Sequence, residues 1–254
     1  MLSATLSLVL LSSPLTPTAS PVSAGSAGAS GFAGASGSVG ASGSAGASGS
    51  AGETAAITTE YWAGHQVAFG TRDVPMLGTL QTRLDTYVIA RVRRGVDTVQ
   101  IDQRACKVSY SDVGSVKVYI DADALPDSRL VFERVEGTPH YSMSGTVNWG
   151  KEDIDEDGNP GMRVYVDAPI CSGELHVTNK TTTAARAFSD DGGPLYGEVT
   201  ISVRQTILGA EGRCLSALSK DSYERSKGSF RYTKINANET CKSLLKADWP
   251  VTAS

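Results

Sequence analysis

The sequence predicts an all-β fold, an antiparallel up-and-down barrel, with a two-sheet β-sandwich as the alternative. Three observations lead there. Apolar and polar residues alternate with period two along most of the chain beyond Glu53. Clusters of Gly, Asp, Asn and Pro interrupt the alternation at short intervals, as hairpin turns require. No window carries a helical apolar stripe of useful length. Sequential hairpins favour the barrel over the sandwich, because closure leaves no exposed edge strand.

The elements follow in order. Leu80, Thr82, Leu84, Thr86, Val88, Ala90 and Val92 fall on one side of an extended chain, and Gln81, Arg83, Asp85, Arg91 and Arg93 on the other. Arg94-Gly95 turns the chain, and Val96–Val108 alternates again as its hairpin partner. Shorter strands are expected at Val116–Ile120, Leu130–Val135, His140–Trp149, Met162–Val166, Glu174–Thr178 and Ala184–Phe188. Tyr196–Thr206, Cys214–Ser219 and Gly228–Ile235 complete the set. Turns are expected at Ser111–Gly114, Glu136–Pro139 and Asp190–Gly193, and a turn or two of helix at Ala122–Leu125 and Thr240–Ala247.

The N-terminal quarter has a different composition. Leu6, Leu8, Val9, Leu10 and Leu11 form a short apolar run, and Pro14, Pro17 and Pro21 follow it. Small residues then lead to Ala24, the layout of a secretory signal peptide spanning residues 1–24, although its only positive group is the initiating amine. The run is far shorter than the roughly 20 residues a membrane-spanning helix needs. No cysteine lies near this cleavage point, so no lipid anchor is expected there. Residues 25–55 begin with a GSAGAS hexad repeat, with glycine at every third position from Gly25 to Gly52. A collagen helix would need abundant proline, and this repeat has none, so a flexible, disordered linker is expected. Residues 56–254 form the β domain, long enough for one sizeable core.

The net charge of −4 speaks against nucleic-acid binding, which usually requires a basic face. The four cysteines, Cys106, Cys171, Cys214 and Cys241, show no CxxC spacing and no neighbouring histidine, so zinc is poorly supported. In an exported chain they read as two disulfides. Three pairings are open. Cys214 with Cys241 is favoured because they close a modest loop, which leaves Cys106 with Cys171.

The one stretch that looks like chemistry is Asp153–Gly161, DIDEDGNPG. An EF-type calcium loop takes ligands at positions 1, 3, 5, 7, 9 and 12. Asp153, Asp155 and Asp157 occupy the first three, Gly158 supplies the sharp turn, and Asn159 offers a backbone carbonyl. Val164 then stands where a bidentate glutamate belongs. Two readings stay open, a structural calcium ion or a solvated acidic turn. No other cofactor is expected.

No catalytic constellation emerges. There is no G-x-S-x-G elbow, and His65, His140 and His176 are isolated in sequence. Arg83, Arg91, Arg93 and Arg94 form a basic face, either solvated or facing an anion. Trp62, Trp149 and Trp249 belong to the core or line a cavity. The leading expectation is a secreted or envelope-associated, non-enzymatic protein holding a small apolar ligand in its barrel. The alternatives are a structural surface protein and a hydrolase with its site on the barrel-mouth loops.

Several segments carry a resemblance. VPMLG (Val74–Gly78), RACKV around Cys106, DIDEDGNPGMRV, APICSGEL around Cys171, QTILGAEGRCL and ETCKSLL together resemble uncharacterised exported proteins and lipoproteins of large-genome soil bacteria. That resemblance implies export and a β-rich fold and carries over no catalytic residue. Trp62-Ala63-Gly64 loosely resembles, in reversed order, the G-x-W start of lipocalins, whose barrels are also up-and-down.

Overall fold

The computed structural model describes residues 13–14, 58–74, 78–111, 117–167, 172–189 and 192–254. The expected signal peptide and linker lie outside them, save for Ser13–Pro14, and so does Cys171. The strands are β1 (Ser13–Pro14), β2 (Thr58–Val74), β3 (Gly78–Arg94), β4 (Thr98–Tyr110), β5 (Lys117–Tyr119) and β6 (Ser128–Arg134). They continue with β7 (His140–Trp149), β8 (Met162–Asp167), β9 (Gly173–Ser189), β10 (Leu195–Ala210) and β11 (Ser222–Lys234). Two short helices are α1 (Arg213–Leu218) and α2 (Cys241–Lys246). No helix among the described residues is long and apolar enough to cross a membrane.

Eight strands close a barrel in the order β2-β3-β4-β6-β7-β9-β10-β11, and β11 returns to β2. Every pairing is antiparallel, and barrel neighbours follow one another along the chain once β5 and β8 are set aside. The up-and-down barrel is therefore present, and closure leaves no free edge in its wall. Strands β5 and β8 stand outside this circuit as a side ladder. β9 belongs to both: residues 173–177 pair with β8, and residues 179–188 pair with β7.

Alternation decides what faces inward. Along β10, Leu195, Gly197, Val199, Ile201, Val203 and Gln205 are buried while Tyr196, Glu198, Thr200 and Arg204 are exposed. Two apolar clusters result. The first fills the barrel body around Trp62, Val88, Ile101, Phe132, Ile201 and Phe230. The second lies under the side ladder around Ile120, Trp149, Met162, Val164, Leu175 and Leu215.

The outer face of β2 is buried as well. Ala63, His65 and Val67 are each at most 2 % exposed. The C-terminal segment covers this face as a strap. Leu244 and Val251 pack on Ala63, and the Trp249 indole N–H donates to the Gly64 carbonyl at 3.2 Å. Thr240 caps α2 through a reciprocal bond with Ser243, so the helix expected at Thr240–Ala247 is present.

Several expectations need correction. Thr58–Val74 was not expected as a strand, because its two buried faces hide the alternation. Glu174–Thr178 and Ala184–Phe188 are one continuous strand, β9. Cys214–Ser219 is not a strand but falls largely on helix α1. Cys241 bonds to Cys106, not to Cys214, across 135 residues of sequence. Cys106 is the extra residue of a β-bulge in β4, where the register shifts between Tyr87 and Val88. Loop-closure entropy grows slowly with length, so nearness in sequence is a weak guide to pairing. Cys214 is disulfide-bonded too.

Candidate functional site

The acidic loop joins β7 to β8. It folds back on itself: Ile154 N–H donates to the Gly161 carbonyl, and Gly161 N–H to the Glu152 carbonyl, each at 3.2 Å. Gly158 and Gly161 take φ of 86° and 88°, a region costly for residues with a Cβ. Asp153 holds the turn from inside. Its Oδ1 accepts from Asp157 N–H at 3.0 Å, and its Oδ2 from Gly158 N–H at 2.8 Å. Asp157 Oδ1 accepts from Asn159 N–H at 2.8 Å, and Asp155 Oδ2 from Arg163 N–H at 3.0 Å.

Three carboxylates are thereby gathered. Asp153, Asp155 and Asp157 each present one oxygen within 4.8 Å of the others. Asp153 is exposed, but the side chains of Asp155 and Asp157 are only 4 % and 3 % exposed. A freely solvated turn does not bury two of its three carboxylates. Asp155 Oδ1 and Asp157 Oδ2 have no hydrogen-bond partner. The Arg163 guanidinium lies 3.8 Å from Asp155 and 3.4 Å from Asp157, and also 3.9 Å from Glu174. Val164, at the twelfth position, is fully buried in the second core and supplies no ligand.

His176 joins this site from β9, where it lies directly opposite Arg163. Its side chain is 7 % exposed, and Nδ1 points to Asp157 Oδ2 at 3.9 Å. That nitrogen has no hydrogen-bond partner. Glu174, His176 and Glu211 form a second group with ligand atoms within 4.8 Å of one another. Sequence reasoning found the aspartates and missed His176, which is brought in by strand register alone.

A second unusual region lies inside the barrel, between the two apolar clusters. Trp149, Asn179, Gln205 and Ser222 are successive cross-strand partners on β7, β9, β10 and β11, so their side chains share one rung of the inner wall. Asn179 and Gln205 are 2 % and 0 % exposed. Both carboxamides lack partners on both polar atoms, and so do Trp149 Nε1 and Ser222 Oγ. Buried polar groups are almost always paired, so such a rung is exceptional. Ser222 and the next inward residue of β10, Ile207, are partly exposed, which places the rung near one end of the barrel. Deeper in, a cavity of about 10 Å³ is lined by Gln66, Ala68, Leu84, Thr86 and Ile201 among others. That is room for one water at most.

The remaining candidates are structural. His65 is committed at both ring nitrogens: Nδ1 accepts from Ala253 N–H and Nε2 donates to Asp85 Oδ1, each at 2.9 Å. Burial pushes its pKa below the usual histidine value. Arg83 forms a two-pronged pair with Asp85, and Arg93 and Arg129 both bind Asp102. Arg94 stacks on Trp62 and donates to Ser189 and Gly193. Among these arginines the basic face is thus largely neutralised. No protein-family model and no curated protein matches this chain.

Proposed function

We propose that the chain is an exported β-barrel binding protein, and that the rung of Trp149, Asn179, Gln205 and Ser222 holds a small ligand. The carrying observation is the six polar atoms of that rung that have no partner. Each buried unpaired group costs about 1–3 kcal/mol. Six of them would rival the stability of a typical domain, roughly 5–15 kcal/mol, so something must answer them. A wholly apolar guest would leave them as they are. A small neutral molecule with both donors and acceptors, such as an amide or a polyol, fits the set: two carboxamides, an indole N–H and a hydroxyl. Export is supported by the Cys106–Cys241 disulfide, which suits an oxidising compartment, and by the short apolar N-terminal run.

A structural role is the second reading, favoured by the tightly filled barrel body. In that case ordered water answers the rung. Native mass spectrometry of protein recovered from the exported fraction separates the two. The proposal expects a stoichiometric added mass, above the disulfide-bonded polypeptide, that disappears in an Asn179→Leu/Gln205→Leu variant. A wild-type mass equal to the bare polypeptide, with no thermal response to a panel of small amides and polyols, rejects it.

A further inference from the structure

We infer that the β7–β8 loop is a calcium site, with Asp153, Asp155 and Asp157 as its carboxylate ligands and His176 as an outer partner of Asp157. The site is separate from the barrel rung and stands or falls without it. The inference rests on two independent observations. Within the loop, the carboxylate oxygens Asp155 Oδ1 and Asp157 Oδ2 are buried and without a hydrogen-bond donor. From outside the loop, the nine-tenths-buried His176 aims a partnerless Nδ1 at the same carboxylate.

The charge balance points to a cation. Three carboxylates converge within 4.8 Å, and like charges this close oppose one another unless something positive lies between them. Arg163 is the resident positive group, but its guanidinium stays at 3.4 Å and 3.8 Å, faces Glu174 as well, and leaves both orphan oxygens unbonded. The ligand atoms are hard oxygens, which selects calcium over softer metals. Asn159 follows the turn glycine and can add its backbone carbonyl, as the seventh position of such loops does. The missing twelfth-position carboxylate sets the affinity low, at a dissociation constant of about 0.1–1 mM, typical of extracellular modules.

His176 has a defined task. A metal-bound carboxylate is commonly held by a hydrogen bond from a second group. Nδ1–H is placed to supply that bond to Asp157 after a small shift, tying the loop to β9 once the ion is bound. The ion would then clamp the β7–β8 connection to the strand shared by the barrel and the side ladder.

The test uses the full chain with calcium, magnesium, zinc or EDTA. Millimolar calcium should raise the unfolding midpoint by about 3–6 °C over EDTA, with a smaller effect of magnesium. The His176 ring resonances should shift over the same calcium range. Asp157→Asn keeps the oxygen that caps Asn159 but removes a charge, so it should abolish both responses and leave the EDTA midpoint equal or higher. Asp155→Asn provides the same comparison should the first variant fail to fold. A midpoint and a His176 spectrum indifferent to calcium would overturn the inference. So would a response to zinc but not calcium, which would move the site to Glu174, His176 and Glu211.

Discussion

Two buried polar clusters occupy the same barrel and meet opposite fates. In the first, Gln66 donates to the Tyr232 hydroxyl at 2.6 Å and to Gln103 at 3.2 Å, and Tyr232 donates to Gln103 at 2.5 Å. The triangle is closed, and burial pushes the Tyr232 phenol far above its usual pKa. In the second, Asn179 and Gln205 carry the same carboxamide chemistry at the same depth and bond to nothing. Composition and burial cannot explain the difference. Geometry does: Gln66 on β2, Tyr232 on the adjacent β11 and Gln103 on β4, beyond β3, are offset along their strands, and their three polar tips converge. The second runs along one wall, where neighbours stand side by side. A closed network fixes a core, whereas an open one leaves its hydrogen bonds to be made by a guest or by water.

The largest effect should come from opening the closed cluster. Gln103→Leu removes the acceptor of two hydrogen bonds and leaves the Tyr232 hydroxyl without an acceptor in the core. The expected loss is about 2–3 kcal/mol, read as a lower urea midpoint with an unchanged slope. A loss below about 0.5 kcal/mol would mean that water already serves this triangle and that the contrast with the rung is false.

What the sequence revealed depended on range. Tyr196–Thr206 was legible as a strand because one face lies in the core and the other largely in solvent, and Leu80–Val92 because its residue types alternate. Thr58–Val74 was not, because both faces of its middle are buried, with the strap over Ala63 and His65, and the contrast between the faces is erased. The acidic loop was legible because all three aspartates fall within five residues. His176 and the rung were not. Asn179, Gln205 and Ser222 become neighbours only through the pairing of three strands, and nothing local records that register. The same limit misdirected the disulfide, since the bulge at Cys106 and the path of the strap are both set by the assembled barrel.

The second effect sharpens the comparison by reversing its sign. Gln205→Leu deprives no neighbour of a bond, because Gln205 makes none. In ligand-free protein it should be neutral or stabilising by up to about 1 kcal/mol, as expected when a buried polar group without a partner gives way to an apolar one of similar size. Urea unfolding of Gln205→Leu beside Gln103→Leu provides the check. Equal losses in the two variants would show that the rung is already satisfied by firmly held water.

The smallest effect concerns a third polar cluster, outside the barrel wall, where pairing is complete but depends on protonation. His65 accepts from Ala253 N–H at Nδ1, so that nitrogen must be bare, while Nε2 carries the proton given to Asp85. Burial lowers the pKa, Asp85 opposes the shift, and Arg83 adds slightly to it. The folded protein therefore resists a proton that the unfolded chain accepts near the ordinary value of 6.5. Stability from this group is complete above that pH and declines as the pH falls toward the lower, folded-state pKa. Protonating Nδ1 would set two N–H donors against each other and free the end of the strap. His65→Gln should flatten the wild-type decline below pH 6.5 once the two curves are subtracted, because carboxylates common to both cancel. Parallel curves would show that His65 takes its proton equally well folded and unfolded.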